Sequence, residues 1–329
     1  MTKILFVERK PFDSFSIERA FRDIADALPP EFDTEFCQLP FGNRFLDTLR
    51  NLLLFRKQPA DIYHITGQVH YIALRLARRN TILSIMDVRF LYRQQGLRRW
   101  LLKKLYLDWP VSRLDVITAI SEETKREIVK HTGCLPDNVH VLDLPVTHSG
   151  RRPSEKEFNA SEPSILQVGT MENKNIPSLA RALNGLRCQL RIIGRLGAEQ
   201  TDILKENKVN YENLIDLSEG QVWDEYENAD LVTFCSLYEG FGLPIIEAQS
   251  LGKPVITSNR SPMTETAGPD GAVFVDPTDP DSIREGIDLL IADGELRGRL
   301  ITAGLVNIER FRPEQVALGY AAIYGKLAG

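Results

Sequence analysis

Leu231-Val232-Thr233-Phe234-Cys235-Ser236-Leu237-Tyr238-Glu239-Gly240-Phe241-Gly242-Leu243-Pro244-Ile245-Ile246-Glu247-Ala248 reads as a strand, a loop and the opening of a helix. The apolar run ending at Phe234 is a buried strand, and Gly240-Phe241-Gly242 is a loop whose glycines let the backbone come close to a ligand. Pro244 falls just inside the helix start, where its missing N–H costs nothing. The first helical turn therefore aims N–H groups and a partial positive charge at the loop, which suits a phosphate. Glu239 lies at the strand's carboxyl end, and Glu247 lies about one turn into the helix. Both can face one ligand from opposite ends. Carboxylates accept hydrogen bonds from sugar hydroxyls, so the pair fits a diphosphate with a ribose on one side and a second sugar on the other. Taken singly, either glutamate is an ordinary loop or helix-face residue; the joint spacing with the loop and proline carries the reading.

Tyr238-Glu239-Gly240-Phe241-Gly242-Leu243-Pro244-Ile245-Ile246-Glu247-Ala248-Gln249, followed by Gly252-Lys253-Pro254-Val255-Ile256-Thr257-Ser258, resembles the signature of retaining family-four glycosyltransferases. The resemblance implies an α/β GT-B fold: two Rossmann-like domains whose parallel sheets face each other across a cleft. It implies that Glu239 contacts the donor sugar, that the amides of Phe241, Gly242 and Leu243 contact sugar and diphosphate, and that Glu247 holds the ribose. Gly169-Thr170-Met171-Glu172-Asn173-Lys174-Asn175 is similar to a second loop of that family. There Lys174, with Gly169 and Thr170 beside it, would bring a point charge to the leaving diphosphate. The arginine usual in this loop is missing, and Arg195 at the next strand end is the candidate to supply its charge. The segment 211–224 would form the rim around the base.

Three positions depart from the pattern. Met86 stands where relatives carry a histidine before Asp87, Thr264 stands where Pro-Glu is usual, and the turn Glu8–Ser16 lacks glycine, so no dinucleotide is argued from it. No metal or other cofactor is expected, the nucleotide sugar being a co-substrate; Asp279-Pro280-Asp281 reads as a helix-capping turn rather than a metal motif. The implied activity is retaining, metal-independent transfer of a hexose from a nucleoside diphosphate to a saccharide or lipid-linked saccharide, in envelope or capsular polysaccharide synthesis. Two other classes stay open: a GT-B sugar-nucleotide epimerase, for which His70 and Asp87 are the acid and base candidates, and a non-catalytic sugar-nucleotide-binding subunit.

At 329 residues the chain exceeds what one core serves. The expected division is an acceptor-binding domain over 1–150, a nucleotide-sugar-binding domain over 151–311, and a helix over 312–329 that in relatives crosses back to the first. A 43% hydrophobic composition leaves no case for global disorder. The four cysteines lack metal-ligand spacing, which suits core roles in a reducing compartment. Ile4–Val7 is too short for a signal-peptide core, so the expected location is cytoplasmic, with peripheral attachment at the inner face of the membrane.

Apolar runs at Ile4–Val7, Ile62–Ile65, Ile82–Met86, Val116–Ile120 and Val139–Leu142, and again at Ile165–Val168, Leu190–Ile193, Asn213–Leu217, Leu231–Cys235 and Val255–Thr257, alternate with amphipathic stretches as parallel sheets require. His70 follows a strand end and a turn glycine, where such sheets bind ligands, and is the third catalytic candidate after Glu239 and Lys174. His64, inside the strand, reads as a neutral histidine satisfied by backbone groups. Residues 41–114 hold 14 basic side chains against 4 acidic ones, concentrated in the amphipathic segments 43–57 and 97–109. Such segments either lie in a membrane interface or present a core face with a solvated rim. Nucleic acid is set aside, because no recognition motif accompanies the charge.

Overall fold

The computed structural model describes residues 1–10, 16–42, 44–146, 150–154 and 156–328. Part of the Glu8–Ser16 turn, Asn43 at the head of the first basic segment, and positions 147–149 near the expected domain boundary lie outside the described residues. The chain forms two compact units, one from Met1–Thr147 with Phe311–Gly329, the other from His148–Arg310.

In the first unit, β1 (Thr2–Glu8), β2 (Phe32–Gln38), β3 (Ile62–Ile65), β4 (Thr81–Ile85), β5 (Val116–Ala119) and β6 (Val139–Val141) form one sheet in the order β2-β1-β3-β4-β5-β6. Every pairing is parallel. β2 escapes a search for apolar runs because it is an edge strand, Phe-Asp-Thr-Glu-Phe-Cys-Gln, in which acids alternate with apolar residues. The inner strands β3 and β4 are buried on both faces and read as continuous apolar runs.

Helix Pro313–Ala328 closes one face of this sheet with Tyr320 and Tyr324, both fully buried. His64 joins it: Tyr324 Oη lies 2.6 Å from Nδ1 and Ser84 Oγ 2.7 Å from Nε2, and Ser84 Oγ lies 2.5 Å from Thr118 Oγ1. The ring is thus satisfied by side-chain hydroxyls rather than by the expected backbone groups. Burial pushes its pKa from 6.5 down to about 3. Between those values the unfolded chain binds a proton that the native chain refuses. The stability due to a neutral His64 is complete above about pH 6.5 and is lost as pH falls, at about 1.4 kcal/mol per pH unit. Urea unfolding at pH 7 and pH 5 is therefore expected to show wild type losing about 2 kcal/mol more than His64→Phe. Equal losses in the two proteins would place the proton uptake elsewhere.

In the second unit, β7 (Ser164–Val168), β8 (Gln189–Ile193), β9 (Tyr211–Leu214), β10 (Leu231–Phe234), β11 (Val255–Ser258) and β12 (Val273–Val275) form another all-parallel sheet. Its order is β12-β11-β10-β7-β8-β9. The third strand lies at Tyr211–Leu214 and not at Asn213–Leu217: Asp216 takes a left-handed φ of 54°, which ends the extended run, and Ile215 is solvent-exposed. Counted from its own first strand the unit has the order 3-2-1-4-5-6, so the strand order reverses between β7 and β10. That is where a doubly wound sheet opens its ligand crevice.

Candidate active site

The two loops leaving β7 and β10 meet at this reversal point. Gly169 takes φ 88°, and a Cβ there would stand 2.9 Å from Lys174 Cε, so the missing side chain lets Lys174 fold back over the strand ends. Its Nζ donates to Glu239 Oε1 at 2.8 Å and lies 4.3 Å from the centre of the Phe234 ring, the last residue of β10. The lysine and glutamate side chains are 11% and 7% exposed. A cation is thus held at the head of the crevice by one carboxylate and one aromatic face.

Asn173 and Asn175 do the positioning, a role that the sequence reading gave to neither. Fully buried Asn173 donates through Nδ2 to Glu239 Oε1 at 2.8 Å and to the Tyr238 carbonyl at 3.0 Å, while its backbone carbonyl accepts from Leu237 N at 2.8 Å. Asn175, at φ 58°, donates to the Cys235 and Pro277 carbonyls at 3.1 and 2.6 Å. The signal was present in Asn-Lys-Asn: asparagine tolerates the left-handed region and carries both donor and acceptor.

Helix Leu243–Ser250 starts after Gly242, which has φ 118°, and Pro244 sits in its first turn as expected. A Cβ on Gly242 would approach Ile245 Cδ1 to 3.0 Å. Phe241 is buried, and its carbonyl accepts from Thr266 Oγ1 at 2.9 Å, fixing the loop before the helix. Glu247, half-buried on this helix, accepts from Tyr226 Oη at 2.5 Å. Burial raises the Glu247 carboxyl above its usual range, while the Tyr226 hydroxyl and the charge of Lys174 pull it back. Tyr226 comes from helix Glu219–Asn228, whose apolar face packs on the sheet; its phenol could not be told from an ordinary core tyrosine in the sequence.

Other candidates stand further from this cluster's hydrogen bonds. Thr170 Oγ1 donates to the Arg195 carbonyl at 2.7 Å, which joins the ends of β7 and β8. The Arg195 side chain is 73% exposed and lies 3.6 Å from an equally solvated Asp216, so the structure keeps it in water. His70 belongs to the first unit, where it is buried with its Nδ1 2.5 Å from the Tyr106 carbonyl. Pro110, four residues beyond Tyr106, has no N–H to offer that carbonyl, and the histidine supplies one instead. Burial lowers the His70 pKa against the Tyr106 contact and the charge of Asp87, so the ring is a neutral donor. Asp87 itself accepts from Arg89 N at 2.9 Å, and buried Met86 offers no polar group. Asp279 caps its helix by accepting from Asp281 N at 3.0 Å. No group of three or more histidine, cysteine, aspartate or glutamate side chains able to hold a metal occurs among the described residues.

A cation, a helix start and two carboxylates thus lie together at the strand-order reversal of the second unit. Residues 151–305 match the family described as Glycosyl transferases group 1. That match lies wholly within the second unit. The chain is 28% identical over 297 residues to the O-antigen chain mannosyltransferase B of Escherichia coli, covering 82% of this chain and 75% of that protein. Among solved structures it resembles the sucrose-phosphate synthase of Thermosynechococcus elongatus, with TM-score 0.79 and 17% identity over 99% of both chains. It also resembles Anabaena Alr3699/HepE, solved in complex with UDP and glucose, with TM-score 0.75 and 14% identity over 99% of this chain and 100% of that one. At such identities the likeness speaks to the fold, which is GT-B, as the signature around Glu239 implied. The second unit therefore carries the signature of the matched family at its own strand-order reversal. Among the described residues, no helix is long and apolar enough to cross a membrane.

Proposed function

We propose that this glycosyltransferase moves a hexose from a nucleoside diphosphate to a hydroxyl of a saccharide or lipid-linked saccharide, with retention of configuration and without a metal. Mannose is the first donor sugar to test, since the Escherichia coli relative is named a mannosyltransferase. The observation that carries the reading is Lys174, held 2.8 Å from Glu239 beside the start of helix Leu243–Ser250. The hard step breaks the bond between the anomeric carbon and the diphosphate oxygen, leaving negative charge on the diphosphate. Lys174 and the Phe241 to Leu243 amides stabilise that charge, and they do so more as it grows.

Glu239 holds the sugar's hydroxyls so that the acceptor oxygen can reach the anomeric carbon on the face the diphosphate leaves. The acceptor's proton passes to the departing diphosphate oxygen, so no enzyme nucleophile is needed. Glu247 holds the ribose, with Tyr226 fixing its carboxylate. Arg195 swings from solvent to the diphosphate, and Gly169 and Thr170 line its path. His70 Nε2, the ring nitrogen that Tyr106 does not engage, is the atom through which that residue would act. Acceptor binding falls to the first unit, whose basic segments 43–57 and 97–109 suit peripheral attachment to a membrane carrying a lipid-borne acceptor.

A ligand that binds only the folded chain raises its melting temperature. One nucleoside diphosphate among the common bases is expected to stabilise the wild type by about 2–3 kcal/mol at a hundredfold excess over its Kd. Glu247→Ala should lose most of this shift. A panel without any shift, or a shift indifferent to Glu247→Ala, would remove the donor site from this crevice.

A further inference from the structure

Two helices of the first unit leave an apolar groove between them. Helix Phe45–Leu54 forms one wall, helix Gly96–Lys103 the other, and the π turn Lys104–Asp108 continues the second. The cavity measures about 1030 Å³ and is lined by Phe45, Leu97, Leu101, Leu102, Leu105 and Tyr106. The phenol of Tyr106 is spent inside the protein, 2.9 Å from Thr48 Oγ1 in a buried pair. The two wall helices also expose large apolar side chains: Leu46 is 64% exposed, Leu97 71% and Trp100 52%. An apolar groove flanked by exposed apolar side chains marks an interaction surface.

The charges on the rim choose the partner. Arg44 and Arg98 line the groove, Arg99 follows Arg98 on the same helix, and helix Gly96–Lys103 contains no acid. The nearby carboxylates are occupied. Asp108 binds Lys103 and Lys104 at 2.5 and 2.8 Å, and Asp47, which itself lines the groove, faces Arg50 at 3.8 Å. Among the described residues Arg44, Arg98 and Arg99 have no ion pair. A second copy of the chain would set these arginines against their own equivalents, which like charges oppose. Guanidinium groups match phosphate oxygens in a planar, two-pronged geometry.

We propose that this groove takes an acyl chain of an anionic bilayer, with Arg44, Arg98 and Arg99 on the lipid phosphates. The chain is therefore attached by insertion as well as by charge. This deepens the reading of a lipid-borne acceptor and rests on it for its purpose, while the geometry belongs to the first unit alone.

The test uses the full chain with Trp109→Phe, so that Trp100 reports from the helix that walls the groove while Trp223 is buried in the second unit. Vesicles of phosphatidylcholine alone and of phosphatidylcholine with phosphatidylglycerol are floated with the protein, with and without bromine on the acyl chains. Binding to the anionic vesicles and quenching by chain bromine are expected, and about 0.5 M salt should weaken the binding without removing the quenching. Leu97→Asp with Leu46→Asp, both at exposed positions, should cut binding about tenfold or more. Arg98→Glu with Arg99→Glu should remove the preference for anionic vesicles. Four results overturn the proposal: no flotation; complete release by salt without quenching, which means charge alone; binding indifferent to the Leu46 and Leu97 changes; or a dimer in solution that those changes dissolve. The nucleotide-dependent melting shift is measured on the same samples. Its absence would count against the donor site and leave the vesicle result readable.

Discussion

Glu239→Ala is expected to lower kcat for sugar transfer by about a thousandfold while leaving nucleoside diphosphate binding in place. Glu239 is the only group proposed to hold the donor sugar's hydroxyls, and it also anchors Lys174 and Asn173 through one oxygen. Its removal frees the sugar to turn and takes away the counter-charge of a nearly buried ammonium. The variant should therefore melt lower without ligand, by about 1–3 kcal/mol of lost stability. It should also gain more from a diphosphate than the wild type does, because in the wild type the diphosphate must compete with Glu239 for Lys174. Single-turnover transfer and melting with and without the nucleoside diphosphate measure both effects. Transfer within tenfold of wild type would end the assignment of Glu239. A diphosphate shift smaller than the wild-type shift would end the competition for Lys174.

The second large effect is steric. In Gly271→Ala the new Cβ would stand 2.0 Å from the Ala267 carbonyl and 2.5 Å from Gln249 Nε2. Buried Gln249 donates to the Ala267 and Gly271 carbonyls at 2.8 and 3.0 Å and accepts from Asn307 Nδ2 at 2.8 Å. It lies on helix Leu243–Ser250, so this hub holds the helix whose start faces the donor. Moving the loop would strain the packing and leave buried amide groups unpaired, for about 3–5 kcal/mol in all. Gly220→Ala is the control. It lies in helix Glu219–Asn228 with nothing within 4 Å of the added methyl, and should gain about 0.5–1 kcal/mol. Urea unfolding of both variants decides; a loss under about 1 kcal/mol in Gly271→Ala would mean that the loop has room to move.

What could be read beforehand followed burial. Strands such as Ile62–Ile65 and Leu231–Phe234, buried on both faces, announce themselves as apolar runs, and so does the helix behind Pro244. The edge strand Phe32–Gln38 and the end of the strand at Tyr211–Leu214 did not, because one alternates polarity and the other stops at a backbone angle. In the candidate site, the grouping of Glu239, Lys174 and Glu247 was legible from spacing and resemblance. Asn173, Asn175 and Tyr226 were not. Their work is done by hydrogen bonds to residues 21 to 102 positions away, and no local pattern records such partners. The counted charge of segment 97–109 also overstated its reach, since Asp108 takes two of its lysines.

The first sheet is finished by the last helix. Tyr320 and Tyr324 cover Phe21 and His64, yet they are translated after all of His148–Arg310. On the ribosome the second unit can therefore fold while the first is still waiting. Until Pro313–Ala328 emerges, the Phe21 and His64 rings lack the two tyrosines that cover them in the finished unit. Chaperone dependence in the cell should thus follow substitutions in that final helix more closely than equally buried ones in the second unit.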